Sequence, residues 1–318
     1  MTGLSAGGHP TPPLLDRVQE AVARAAFFAA RTLAGLALVL AMTAWGFGQP
    51  APRFDPQAAM DHIRKLAVDI GVRQAGSAAE RAADDYIVER MASWGYKATR
   101  QDVPLPNGTT TQNLVFDKPG TADWTLVVGA HVDSKPPAPG ANDNASGVAT
   151  VLEVARAVQT VPLHPTVRFI FFGSEEKIQA DQDDWHHFGS RWYVAHMCDN
   201  DKARCGGMIC IDTVAGGPHF YIGCMDGKCA LERDLRLLSA RRGLPAQTMN
   251  DPAWSDHEPF EKAGYAVAYL RWRVDSTLHT AGDDYSHLKP AKMAAVGDLV
   301  IDFLTRVTDR YPGPTRSP

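Results

Sequence analysis

Two nearly uninterrupted apolar runs, "WTLVVGAHVD" at 124–133 and "TVRFIFFGSEE" at 166–176, dominate this chain, and each ends in acidic or imidazole side chains. A strand with one wet face alternates apolar and polar residues. A run without alternation belongs to a strand covered on both faces, as in a parallel sheet. Between them "SGVATVLEVARAVQTV" reads as a helix. The alternation of strand and helix continues along the chain. "KATRQDVPL" and "TQNLVFDKP" read as half-buried strands, and "GMICIDTVA", "HFYIGC" and "YAVAYLRW" as further strands. "FDPQAAMDHIRKLA" carries the helix-start pair Asp55 and Pro56, and "SAAERAADDYIVERMASWGY" has Ser77 as its cap and Gly95 as its stop. "ALERDLRLLSARRG", "DHEPFEKAG" and "PAKMAAVGDLVIDFLTRVTDRY" complete the expected helices. The expected fold class is α/β, a layered domain with a mainly parallel central sheet.

With 318 residues and 45% of them hydrophobic, the chain can bury a sizeable core. A formal net charge of -4 gives no basic excess for nucleic acid, so function has to come from a site. Residues 1–31 are expected to stand apart from the domain, as a flexible or cytoplasmic segment. The uncharged run from Thr32 to Gly48 follows Arg17, Arg24 and Arg31. That fits a secretory signal or an uncleaved signal-anchor, with the arginine end in the cytoplasm, and a buried helix is the plainer alternative. Export to the periplasm or cell exterior, with membrane anchoring if the leader is retained, is the expectation. The cysteines agree with an oxidising compartment. Cys198 and Cys205 bracket one polar loop, Cys224 and Cys229 bracket another, and Cys210 lies in an apolar strand. Two local disulfides and one buried thiol are expected.

In open α/β sheets, ligands bind beyond the carboxyl ends of the strands. His131 and Asp133 end one apolar run, Glu175 and Glu176 follow another, and Asp212 ends a third. Asp143 lies on the loop "HVDSKPPAPGANDNASG" that feeds a helix, and His279 follows "YAVAYLRW". Any one of these could be a turn or a cap. Together they form a cluster of repelling carboxylates unless cations sit among them. Oxygen and imidazole donors without thiolates suit zinc at a catalytic site. Asp143, Glu176 and Asp212 as ligands would bring three negative charges, which two divalent ions and a bridging hydroxide balance.

The ordered strings "GAHVDS", "GANDNASG", "FFGSEE", "CIDTVAG", "SDHEPF" and "LHTAGDD" resemble the motifs of the co-catalytic dizinc aminopeptidases of the M28 type, over roughly residues 54–311. Glutamate carboxypeptidase and the glutaminyl cyclases share that superfamily. The resemblance implies a three-layer α/β/α sandwich of the phosphorylase/hydrolase-like kind, peptide substrates and two zinc ions per chain. It implies that Asp143 bridges the ions, that His131 and Asp212 complete one site, and that Glu176 and His279 complete the other. Glu175 would be the general base toward a water held between the metals, and Asp133 an outer carboxylate orienting His131. The family commonly has a cis peptide after its bridging aspartate, here Asp143–Asn144.

Two departures stand out. Many relatives carry a tyrosine before the last histidine as an oxyanion donor, where this chain has Leu278; Tyr269 and Tyr285 are the substitutes to consider. A long link, "KIQADQDDWHHF", follows Glu176. Its Asp181, Asp183 and Asp184 could meet a substrate amino group, but a solvated loop is the simpler reading, with His186 and His187 as surface groups. Asp256 of "WSDHEPF" is expected to act directly in a cyclase and not in an aminopeptidase. The expected activity is that of an aminopeptidase. The alternative is a glutaminyl-peptide cyclotransferase, with which "HVDSK" and the long link are compatible. A non-catalytic ectodomain is disfavoured because Glu175 and all five ligand candidates are present.

Overall fold

Within the sheet, side-chain alternation decides which layer each residue serves. In β3 (Thr125–His131), Leu126, Val128 and Ala130 point into the larger core cluster, while Val127 points into a smaller one. In β4 (Thr166–Phe172), Val167, Phe169 and Phe171 join the larger cluster, and Ile170 and Phe172 the smaller. Every residue of β3 and of β5 (Cys205–Ile211) is buried, as a strand covered on both faces requires. The computed structural model describes Val18 and residues 51–308, apart from 180, 183, 226–228, 251 and 252. Contacts divide the chain into Met1–Ala51 and Pro52–Pro318, and the fold is that of the second unit. The leader expected at 32–48, and the segment before it, lie outside the described residues. Among the described residues no helix is long and apolar enough to cross a membrane.

The remaining strands are β1 (Thr99–Pro104), β2 (Thr110–Lys118), β6 (His219–Cys224), β7 (Gln247–Asn250) and β8 (Val267–Arg273). The sheet order is β1-β2-β4-β3-β5-β8-β6-β7. β4, β3, β5 and β8 run parallel, whereas β1–β2, β2–β4 and β6–β8 pair antiparallel. The sheet is therefore mixed around a parallel centre. β3 pairs with β4 on one side and β5 on the other, which makes it the switch point where a crevice opens.

The helices are α1 (Pro56–Ile63), α2 (Ala78–Ser93), α3 (Gly147–Val158), α4 (Phe188–Ala195), α5 (Asp199–Arg204), α6 (Ala230–Arg241), α7 (His257–Lys262) and α8 (Pro290–Asp302). Asp55 caps α1 by accepting from the Gln57 and Ala58 amides, and Ser77 caps α2 by accepting from Glu80. α3 is buried along nearly its whole length, packed on β3 and beneath α1 and α8. α4 and α7 cover the opposite face, where Tyr193 and Phe260 meet Phe172. α4, α5 and β7 add to the elements expected from the sequence.

The expected disulfides are not formed; all five cysteines are thiols. Helix α5 fills the interval between Cys198 and Cys205, where a polar loop was expected. Cys198 sits exposed as its cap, accepting from the Asp201 amide at 3.5 Å, while Cys205 opens β5 inside the core. Cys229 and Cys224 do approach, with the Cys229 amide 3.3 Å from Cys224 Sγ. Cys210 is buried, as expected.

Candidate metal centre

The structure brings all five expected ligands together at the carboxyl ends of the parallel strands. His131 closes β3, Asp212 follows β5, and Glu175 and Glu176 follow β4. Asp143 lies in the turn Ala141–Ser146 that enters α3, and His279 in the loop after β8. His131 Nε2 stands 3.2 Å from Asp143 Oδ1, 3.7 Å from Asp212 Oδ1 and 3.9 Å from Glu175 Oε2. His279 Nε2 stands 3.1 Å from Asp143 Oδ2 and 3.2 Å from Glu176 Oε1. Asp143 thus turns one oxygen to each histidine. The Asp143–Asn144 peptide is cis, as expected.

A second ring of groups fixes these donors. Asp133 does more than orient His131. Its Oδ1 lies 3.4 Å from His131 Nδ1, and its two oxygens accept from the Glu175 and Glu176 amides at 2.9 and 3.0 Å. Asp283, which the sequence did not single out, accepts from the Asn142 and Asp143 amides at 2.7 and 3.0 Å. The Tyr269 hydroxyl donates to Asp212 Oδ2 at 3.0 Å. Beneath the proline-rich loop, the fully buried Arg73 guanidinium donates to the carbonyls of Val132, Leu66, Gly71, Pro139 and Gly140.

Three expectations for neighbouring residues need correction. His187 is buried, not a surface group; its Nε2 lies 3.1 Å from Glu175 Oε1 and its Nδ1 2.6 Å from Glu258 Oε2. His186 is half-buried and lines the same cavity. Tyr269 is buried with its hydroxyl committed to Asp212, and neither it nor Tyr285 lines the cavity. Asp181 and Asp184 are exposed and outside the cavity lining, as a solvated loop requires; Asp183 lies outside the described residues. Asp256 is fully buried and does not line the cavity, while His257 stacks on Tyr269 with centroids 4.5 Å apart.

Residues 113–304, well over half the chain, match Peptidase family M28. The chain belongs to this family. It is 31% identical over 266 residues to leupeptin-inactivating enzyme 1 of Streptomyces exfoliatus, an alignment covering 82% of this chain and 58% of that relative. It is also 31% identical over 205 residues to aminopeptidase YwaD of Bacillus subtilis (strain 168), covering 60% of this chain and 43% of that one. The chain therefore spans about half the length of these two relatives. The fold matches BSAP, a zinc aminopeptidase from Bacillus subtilis, with a TM-score of 0.71 at 20% identity, covering 80% of this chain and 95% of that one. It matches Porphyromonas gingivalis glutaminyl cyclase with a TM-score of 0.69 at 23% identity, covering 79% and 98%.

The electrostatics of this M28 site are those of a cluster built for positive charge. Burial alone would lower the His131 pKa, but Glu175, Asp133, Asp143 and Asp212 hold it well above the ordinary value. The facing carboxylates of Asp143 and Glu176 raise His279 to about 10. Burial pushes Glu175 up to about 8, against the pull of His131 and His187. Burial works against the charge on Asp143 too, yet the two histidines hold it well below the usual carboxylate range. The histidine shifts and that of Asp143 have one origin, the facing of imidazoles and carboxylates, whereas Glu175 is governed by its burial.

The same residues fit the zinc ions of an M28 peptidase. His131 Nε2, Glu176 Oε1 and Asp212 Oδ1 are buried without hydrogen-bond partners, and all of them face the cluster. Orphaned buried polar atoms are costly unless something satisfies them. An imidazole-and-carboxylate set with no sulfur is the donor chemistry of catalytic zinc. The cluster opens on a cavity of about 560 Å³, whose wall also carries Lys135, Lys177, Trp254, Arg271, Arg273 and Leu278.

Proposed function

We propose that this chain is a zinc-dependent aminopeptidase that releases N-terminal residues from peptides, with two zinc ions per chain. The observation that carries the reading is Asp143, whose two oxygens face His131 and His279 separately while Glu175 stays beside the cluster in a contact of its own with His187. His131, Asp143 and Asp212 would hold one ion, and Asp143, Glu176 and His279 the other. Zinc held there polarises a carbonyl and makes water nucleophilic near neutral pH. The chain itself supplies the proton handling. Glu175 takes the proton of the attacking water and passes it to the leaving amine. Asp133 holds the Glu175 and Glu176 amides, so the base and the neighbouring ligand keep fixed positions. Membership of M28 and the activities named for its curated relatives support peptides as the substrate class. We propose export on the strength of the arginine-flanked apolar run at 32–48, to be tested by cell fractionation.

The decisive experiment supplies the purified, zinc-loaded chain with aminoacyl chromogenic substrates and with Gln-peptides. Release of the N-terminal residue is expected. Ammonia release from Gln-peptides, without hydrolysis, would move the protein to the cyclase reading. Glu175→Gln should lower kcat by about 10²–10⁴-fold with zinc content intact. Loss of zinc from that variant would mean that Glu175 is a ligand and its role has been misassigned.

A further inference from the structure

The His187–Glu258 pair lies outside the ligand set and has no part in the chemistry described so far. His187 grips Glu175 twice. Its backbone amide donates to the Glu175 carbonyl at 2.8 Å, and its Nε2 reaches Glu175 Oε1 at 3.1 Å. The far side of the ring is held as firmly, with Nδ1 2.6 Å from Glu258 Oε2. Glu258, on the first turn of α7, is itself paired with Lys262 and lies 3.7 Å from Arg191. Both ring nitrogens face carboxylate oxygens, so the ring is held at both edges. His187 adopts φ 55, a left-handed conformation that few non-glycine residues take up and that tends to persist where the surroundings enforce it.

The geometry of Glu175 shows what this grip achieves. Its Oε2 already stands 3.9 Å from His131 Nε2, among the donors assigned to zinc. A carboxylate so close, with its other oxygen unheld, can swing in and be spent as a ligand. His187 engages Oε1 and so leaves only one oxygen facing the cluster. We infer that His187, braced by Glu258, is a positioning residue that keeps Glu175 out of the ligand set and aims it as a base. This inference rests on the aminopeptidase reading only in taking Glu175 as the base.

The test measures kcat, KM and zinc content for His187→Ala, His187→Gln and Glu258→Gln, in the wild-type chain and in a Glu175→Gln background. Removal of an outer partner of this kind typically costs about 10–100-fold. His187→Ala should lower kcat by that amount, with KM within about twofold and zinc unchanged. His187→Gln, which keeps an N–H donor, should recover part of the loss, and Glu258→Gln should show a smaller loss of the same kind. In the Glu175→Gln background, His187→Ala should cost nothing further, because it acts through Glu175. Equal fold-losses in both backgrounds, or loss of zinc in His187→Ala, would overturn the inference. If the wild-type chain cyclises Gln-peptides without hydrolysing aminoacyl substrates, the proposed function fails. The same comparison, read on ammonia release, still decides the role of His187.

Discussion

His131 and Asp212 stand at the ends of neighbouring parallel strands, buried and held from behind by Asp133 and Tyr269. His279 faces them across Asp143 from a loop, at φ 60, with 45% of its side chain exposed. Its ring has no counterpart of Asp133 or Tyr269 among the described residues. One side of the centre is therefore part of the sheet, and the other is completed by an exposed histidine carried on a loop. Outer partners fix ring orientation and strengthen ligation. On the proposed two-zinc reading, the sheet side should accordingly hold its ion more tightly, with Asp143 as the link between the two.

The sharpest way to break this comparison is Asp143→Asn. If that carboxylate serves both sides, zinc content and activity should collapse together, as elemental analysis and a peptidase assay would show. Retention of one full equivalent of zinc would show that the sides are independent. Next comes the contrast between the two histidines. His279→Ala should keep about one equivalent of zinc, whereas His131→Ala should lose more than that. Limiting chelator should likewise strip the wild-type chain in two phases. Identical zinc loss from both variants would remove the distinction. A smaller effect is expected from Tyr269→Phe, about tenfold in zinc affinity, confined to the tightly held ion. A shift in the loosely held ion alone would place the support on the wrong side.

The smallest effect concerns a buried carboxylate with no histidine to answer it. Asp84 on α2 is buried, and neither oxygen has a hydrogen-bond partner among the described residues. Burial, and to a lesser extent Glu80, push its pKa from 3.8 up to about 8, with Arg100 opposing. The folded state thus keeps a proton that the unfolded state has released. Its contribution to stability is complete below about 4 and is lost as pH rises toward 8. Asp84→Asn should flatten the fall in Tm between pH 5 and pH 8, by about 2–4 °C for each kcal/mol relieved. A pH-independent change would indicate altered packing instead.

His131, Glu176 and Asp212 were legible because each sits at or just past the end of a continuous apolar run, and a strand buried on both faces has a carboxyl end that points at the crevice; Asp143 and His279, on loops, were legible only through the motif strings around them. His187 was not legible. Its partner Glu258 lies 71 residues away, and the polar link before it has the composition of a solvated loop. Asp283 was hidden in the same way, since it works by accepting backbone amides from 141 and 140 residues upstream. Helix α5 went unread because its six residues carry no apolar face and none of them is buried. Cysteine spacing, read as loop closure, could not register that a helix occupied the interval. β7 has only four residues, too few for alternation to register.

Arg73 has a consequence for how the loop over the centre behaves. Five carbonyls from chain segments on either side of it converge on one guanidinium, and the Arg73 amide and carbonyl also bind Ser134. Although Pro136 and Pro137 reach the solvent, the stretch from Val132 to Gly140 is fastened from inside. Such a loop does not breathe like a surface connection. Insertions or deletions there would be felt at Asp143, so the natural place for length variation around this centre is the link between Glu176 and Phe188, where the guanidinium that reaches a carbonyl, Arg191 on Asp184 at 2.7 Å, does so at the exposed surface.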